Sequence, residues 1–258
     1  MAKVFLSAGH GGKDPGAIGN GLEEKNINLQ TMKACKAFLE ANGVVVVASR
    51  MQDENDPVAE EVREANASRA DVAVSFHTNA GGGDGSENYY YSKDPKGKRL
   101  AELIEKHTKA IGQNSRGNKI GDGLRFINST NMTAVLNECA FIDSRDIAIV
   151  DETNEQITYG IACATAILEY LGLSIQPMPI PTPTPYPEPS NGSFLIRVKT
   201  NLNIRKGPGV EYQVVGQIND RLKYTIVETA AAKDGGTWGK LKSGAGWINI
   251  SPAYVDRV

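Results

Sequence analysis

Hydrophobic and polar positions follow two different regimes along this chain. In the first 172 residues, short continuous apolar runs alternate with segments whose apolar residues recur near the helical period. The apolar runs are Val4-Phe5-Leu6, Val44-Val45-Val46-Val47, Val72-Ala73-Val74-Ser75-Phe76 and Ala134-Val135-Leu136, and Glu87-Asn88-Tyr89-Tyr90-Tyr91 and Leu124–Ile127 read as further strands. The intervening pattern predicts helices over Glu24–Ala41, from Pro57 to about Ala70, from Pro95 to about Ile111 and from Thr153 to about Leu171. The segment Asn114–Asp122 reads as loop. Strands that alternate with helices predict an α/β unit whose mostly parallel sheet is flanked by helices on both faces.

The pattern changes abruptly after residue 173. Between Gln176 and Pro189 a proline stands at nearly every second position, which permits neither helix nor sheet. Residues 174–192 therefore read as a semi-rigid polyproline spacer, in preference to a proline-rich ligand for another domain, because folded segments lie on either side. From Phe194 onward the pattern is all-β, with strands at Leu195–Val198, Leu202–Arg205, Val214–Ile218, Tyr224–Glu228, Trp238–Leu241 and Gly246–Ile250. Residues 193–258 thus form a small all-β unit, expected to be a barrel, and residues 1–173 the larger domain.

Composition limits the possibilities. The 258 residues are 40% hydrophobic, and no apolar run reaches the length needed to span a membrane. The opening Met1-Ala2-Lys3-Val4 enters a strand without the features of an export signal, so synthesis in the cytoplasm is expected. Cys35, Cys139 and Cys163 are odd in number and sit in apolar patterns, as reduced buried thiols do. The net charge of −2 divides into −6 over residues 1–172, −1 from Glu188 in the segment between, and +5 over residues 193–258. The basic small unit is compatible with a polyanionic surface and equally with ordinary surface charge.

The chemistry gathers at strand ends. His10 follows the first apolar run and precedes Gly11-Gly12, and His77 follows Phe76 and precedes Gly81-Gly82-Gly83 by a few residues. Ligands of open α/β sheets collect at the carboxyl ends of strands, and two histidines in matching settings suggest a metal site. A catalytic zinc takes three protein ligands and leaves one position open. The third ligand could be Glu23 or Glu24, which follow the His10 loop, or Glu138, which ends an apolar strand and could instead be a general base. For Glu24 alone, a carboxylate favouring the helix dipole is the simpler explanation. His107 lies mid-helix and is expected at the surface. Cys139, beside Glu138, reads as a buried strand residue.

Several blocks resemble the zinc-dependent N-acetylmuramoyl-L-alanine amidases of the Amidase_3 type. They are Ser7-Ala8-Gly9-His10-Gly11-Gly12-Lys13-Asp14-Pro15-Gly16-Ala17, Gly21-Leu22-Glu23-Glu24-Lys25-Asn26-Ile27-Asn28-Leu29, Arg63-Glu64-Ala65-Asn66, Ala70–Ala80 and Ala134–Ile142, in the family's order. The resemblance implies a six-stranded sheet and one Zn2+ ion held by His10, Glu24 and His77, with Glu138 as the catalytic residue. Glu23 does not match the ligand position, and Cys139-Ala140 depart from the family's usual small residues. It implies hydrolysis of the amide between N-acetylmuramic acid and L-alanine of the peptidoglycan stem peptide. The stretch Val198–Gly209, with Val214-Val215-Gly216, Trp238-Gly239-Lys240-Leu241 and Gly246-Trp247-Ile248, resembles bacterial SH3 (SH3b) domains. That implies an SH3-like barrel that anchors the protein to peptidoglycan or wall-attached polymers. Trp238 and Trp247 suit core or binding surface equally, and Tyr212 and Tyr254 are weaker binding candidates.

The combination points to an endolysin of phage type, released to the wall through a holin-type pore. No nucleic-acid partner and no membrane insertion are expected. The alternatives are a zinc peptidase that cuts within the stem peptide and a catalytically silent wall-binding protein. An internal start at Met178 would give a separate binding module.

Overall fold

A computed structural model describes residues 2–175, 193–218, 222–232 and 236–258. Most of the expected spacer and Met178 lie outside the described residues. The chain divides into two compact units, Met1–Met178 and Pro179–Val258.

In chain order the first unit contains β1 (Lys3–Ala8), β2 (Ile18–Gly19), β3 (Leu22–Glu23), α1 (Glu24–Ala41), β4 (Val45–Ala48), α2 (Val58–Ser68), β5 (Val72–Asn79) and β6 (Ser86–Tyr90). It continues with α3 (Pro95–Ala110), β7 (Ser115–Ile120), α4 (Arg125–Ser129), β8 (Thr133–Phe141), a 3-10 turn (Arg145–Ile149) and α5 (Thr153–Tyr170). Six strands form one sheet in the order β4-β1-β5-β8-β6-β7. All neighbours are parallel except β6 and β8, which run antiparallel. β1, β5 and β8 carry the longest buried runs, as strands covered on both faces must.

Alternation decides which face each strand residue serves. Ala73, Ala134 and Leu136 pack with Phe5, with Val62 and Ala65 of α2, and with Phe126 and Ile127 of α4. Ser75, His77, Glu138 and Glu87 share that face, because β5, β8 and β6 align Ser75 with Leu136 and His77 with Glu138, and Glu138 with Glu87. The sheet therefore changes from an apolar floor to a polar row at one end, without any change of face.

Two elements of this unit differ from the sequence expectation. Ser115–Ile120, expected as loop, is the edge strand β7, and Leu124–Ile127, expected as strand, leads into helix α4. β7 is polar on both faces because it lies at the sheet edge, so it carries no apolar run. Phe126 and Ile127 are buried by a single helical turn, which a short apolar run cannot distinguish from a strand. Cys35, Cys139 and Cys163 are buried and free.

The second unit contains β9 (Phe194–Val198), β10 (Leu202–Arg205), β11 (Val214–Ile218), β12 (Lys223–Ala231), β13 (Thr237–Leu241), β14 (Trp247–Asn249) and β15 (Val255–Arg257). They form a seven-stranded sheet in the order β11-β10-β14-β13-β12-β9-β15. Its core gathers Ile196, Val198, Leu202, Ile218, Ile226, Leu241, Ile248 and Val255. Trp238 and Trp247 are buried, whereas Tyr212 and Tyr254 are exposed. β15 has no counterpart in the sequence expectation, since its three residues are too few for a pattern. No helix among the described residues is long and apolar enough to cross a membrane.

Candidate active site

The site begins where β1 ends. His10 has φ 67, a left-handed conformation costly for a residue with a Cβ. Arg50, 2% exposed, holds this turn in place. Its guanidinium donates to the carbonyls of Ala8 (2.8 Å), Gly9 (3.3 Å), Lys25 (2.8 Å) and Gln52 (3.2 Å), tying the β1 turn to the start of α1. Burial lowers the Arg50 pKa, and nearby Asp56 and Asp53 oppose that effect.

Three side chains converge beside the turn. Glu24, the first residue of α1, is buried, and its Oε1 lies 3.2 Å from His10 Nε2 and 3.1 Å from His77 Nδ1. One donor atom from each of the three lies within 4.8 Å of the others. Two zinc ligands at tetrahedral angle and normal bond length stand about 3.4 Å apart. The spacing and the two-nitrogen, one-oxygen donor set therefore fit that metal, though other ions with a taste for imidazole and carboxylate share the chemistry.

His10 and Glu24 are each oriented by further partners. Asp14 Oδ2 lies 2.9 Å from His10 Nδ1. Glu24 Oε1 also accepts from the Thr78 amide at 3.0 Å and from Asn28 Nδ2 at 3.1 Å, and Oε2 accepts from the Ala17 amide at 2.8 Å. Asn28 Oδ1 in turn accepts from the Thr78 hydroxyl. Two glycines leave room for the cluster. A Cβ on Gly9 would stand 2.1 Å from His77 Cε1, and one on Gly16 would stand 2.5 Å from Glu24 Oε2.

The protons follow the geometry. The Glu24 hydrogen bond is the main reason the His10 pKa is pushed up to about 9. Burial would raise the Glu24 carboxyl, but hydrogen bonds from His10 and His77 outweigh it and hold the group far below the usual carboxylate range. Burial alone would lower His77, yet Glu24 and the other carboxylates nearby leave it raised. Without a cation, the imidazoles share protons with Glu24; a bound cation would displace them.

Glu138 stands one strand away, opposite His77 in the β5–β8 register. Its Oε2 is sealed from solvent and has no hydrogen-bond partner among the described residues. Burial pushes its pKa up to about 7, with Glu24 and Glu87 adding to the effect and His77 opposing it. A carboxyl poised there suits proton transfer near neutral pH.

The other candidates stand apart. Glu23 accepts from Asn26 and lies 3.6 Å from Lys25 Nζ, outside the cluster. His107 Nε2 contacts Glu169 at 2.7 Å, joining α3 to α5. Burial pushes the Cys139 thiol well above its ordinary range, which removes it as a nucleophile. Sequence reasoning overlooked Arg50, Asn28, Thr78 and Glu87. The alternation of Glu87 with Tyr89 could have placed the last of these on the site's face.

Residues 4–169 match the N-acetylmuramoyl-L-alanine amidase (Amidase_3) family model. The chain is 42% identical to the endolysin of Bacillus phage SPP1 over 154 residues, 56% of each chain. It is 36% identical to the N-acetylmuramoyl-L-alanine amidase CwlM of Bacillus licheniformis over 152 residues, 57% of this chain and 60% of that protein. The chain thus spans little more than half the length of these relatives. Among solved structures, the catalytic domain of CwlV, an N-acetylmuramoyl-L-alanine amidase from Bacillus (Paenibacillus) polymyxa var. colistinus, superposes with TM-score 0.63 at 31% identity. That match covers 67% of this chain and all of that domain. The catalytic domain of the CD27L endolysin, at 22% identity and TM-score 0.56, shares the fold. With nearly the whole first unit matched, the chain belongs to the N-acetylmuramoyl-L-alanine amidase family, Amidase_3.

Proposed function

We propose that this protein is a peptidoglycan hydrolase that cleaves the amide between N-acetylmuramic acid and L-alanine of the stem peptide. The observation that supports this most is the row His77–Glu138 across β5 and β8, with His10 and Glu24 closing a three-donor cluster on one side. His10, Glu24 and His77 would hold one Zn2+ ion. The ion would supply Lewis acidity for the scissile carbonyl and a lowered pKa for water. Glu138, with its unpaired Oε2, takes a proton from the attacking water and returns it to the leaving nitrogen as the C–N bond breaks.

Residues 193–258 form the wall-binding part of this reading, an SH3-like barrel joined through residues 174–192 to the catalytic domain of residues 1–173. Its partners are peptidoglycan and wall-attached polymers. The buried Trp238 and Trp247 belong to the core, which leaves the exposed Tyr212 and Tyr254 as the better surface candidates. The likeness to a phage endolysin supports release to the wall at lysis, after synthesis in the cytoplasm.

Digestion of purified peptidoglycan with zinc-loaded protein and with Glu138→Ala, followed by mass spectrometry, tests the reading. Free stem peptides that begin with L-alanine, beside intact glycan strands, are expected from the wild type only. Shortened peptides still attached to glycan would indicate a zinc peptidase. Firm wall binding without products would indicate a silent binding protein.

A further inference from the structure

The polar row does not stop at Glu138. On the next strand, Glu87 of β6 is 3% exposed, and beyond it the edge strand β7 carries Arg116 and Lys119. Glu87 Oε1 accepts from Arg116 Nε and from Lys119 Nζ, each at 2.5 Å. Its Oε2 accepts from the Tyr89 hydroxyl at 2.6 Å and from Asn79 Nδ2 at 3.4 Å. One buried carboxylate therefore fixes two cations, and the group retains one net positive charge. The Arg116 guanidinium also lies over the Phe141 ring, 5.1 Å from its centroid. Its two terminal nitrogens have no hydrogen-bond partner among the described residues. Arg116 and Lys119 remain 42% and 38% exposed. The arrangement is a pre-oriented guanidinium fork with free donors, the form that recognises a carboxylate.

We propose that Arg116, supported by Lys119 and held by Glu87, binds a carboxylate of the stem peptide about two residues beyond the scissile amide. This rests on the amidase reading above. The strand of Glu138 and that of Arg116 are separated by β6, so roughly 10 Å of sheet lies between them. An extended peptide advances about 3.3–3.6 Å per residue. A chain whose scissile nitrogen faces Glu138 thus carries the backbone carboxylate of its second residue, with the reach of the arginine, into the range of Arg116. Amidation of that carboxylate removes the charge that the fork reads. Arg116 is a specificity-determining residue in this scheme, and it takes no part in proton transfer.

The test compares two soluble substrates on the zinc-loaded full chain. They are N-acetylmuramoyl-L-alanyl-D-glutamyl-L-lysine, linked through the side-chain carboxyl so that the backbone carboxyl is free, and its D-isoglutamine counterpart. Wild type is expected to prefer the acidic substrate about fivefold in kcat/KM, mainly through KM, since the site is half open to solvent. Arg116→Gln is expected to bring that ratio close to one, and Arg116→Lys to restore part of it. Circular dichroism and zinc content of each variant identify a folding defect, in which case the Lys variant alone decides. Equal use of both substrates by the wild type, or a preference that survives Arg116→Gln in folded protein, would overturn the subsite while leaving the amidase reading intact. Absence of cleavage at the muramoyl–alanine bond in the wild type would instead remove the amidase reading, and the subsite with it.

Discussion

Glu138 and Glu87 face each other directly across the antiparallel β6–β8 ladder, yet their protons behave in opposite ways. Burial would raise the Glu87 pKa, but hydrogen bonds from Lys119, Tyr89 and Arg116 draw it down to about 2. Burial carries Glu138, which has no such partners, up to about 7. Two carboxylates on adjacent strands are thereby assigned different work, one permanently ionised and one able to exchange a proton near neutrality.

The first prediction concerns stability. The folded pKa of Glu138 is raised from 4.5, so between about 4.5 and 7 the native state keeps a proton that the unfolded chain has lost. Its contribution to stability is full below that window and is lost as pH rises through it. Metal-free Glu138→Gln is expected to exceed the wild type in Tm by an amount that grows from pH 5 to pH 8, corresponding to at most about 3 kcal/mol. Thermal melts across that range in the presence of chelator measure it, and a constant difference would contradict the assignment.

A second prediction concerns rate. If Glu138 accepts the water's proton, kcat/KM of the zinc-loaded protein rises with pH, with a midpoint at or somewhat below 7, because a nearby cation favours the ionised carboxylate. A pH profile on a soluble muropeptide should show this limb. In Glu138→Gln the residual rate should be lower by a factor on the order of 10²–10⁴, and should lack the limb.

The His10–Asp14 contact gives a third. Asp14→Asn keeps the shape but removes the charge that orients His10 Nδ1, and it is expected to weaken zinc binding about tenfold. Competition against a chromogenic chelator reads this without reference to turnover. Unchanged affinity would reduce the pair to a surface contact.

Gly16 gives a fourth. Its φ of +65 and the 2.5 Å approach of a Cβ to Glu24 Oε2 leave no space for a methyl group. Gly16→Ala is expected to fold with a loss of about 1 kcal/mol or more and to bind zinc far less tightly, because the group displaced is a proposed zinc ligand. Equilibrium unfolding and metal titration of the same sample separate the two effects.

Arg50 gives the fifth. Arg50→Met deletes the contacts to Ala8, Gly9 and Lys25 that join the His10 turn to α1, together with the one to Gln52. A loss of about 3 kcal/mol or more is expected in denaturant unfolding.

Much of the sheet was legible because its central strands are buried on both faces, which writes them as continuous apolar runs. The bounds of α1 follow from its clean periodicity, and Glu24–Ala41 is found as expected. The ends of the sheet were not legible. β7 presents Ser115-Arg116-Gly117-Asn118-Lys119-Ile120, a sequence whose polarity is that of a loop, because an edge strand has one neighbour and no need of an apolar face. The metal candidates His10 and His77 were visible through the glycines after their strands. The choice of Glu24 over Glu23 came from resemblance, and the structure adds a physical reason: only Glu24 turns under the first coil of α1 toward both histidines. Glu87 was hidden because a buried, fully satisfied carboxylate has no mark in a one-dimensional pattern.

The order of the four site residues along the chain has a consequence for biosynthesis. His10, Glu24 and His77 all lie in the first 79 residues, whereas Glu138 arrives on β8, the strand that β5 pairs with next. Translation therefore delivers every proposed metal donor before it delivers the proposed base. In that reading, a chain that ends between β5 and β8 carries the three donors and lacks the proton acceptor. In the proposed scheme the cation-binding groups and the proton-transferring group are thus acquired separately, and the second waits on completion of the sheet.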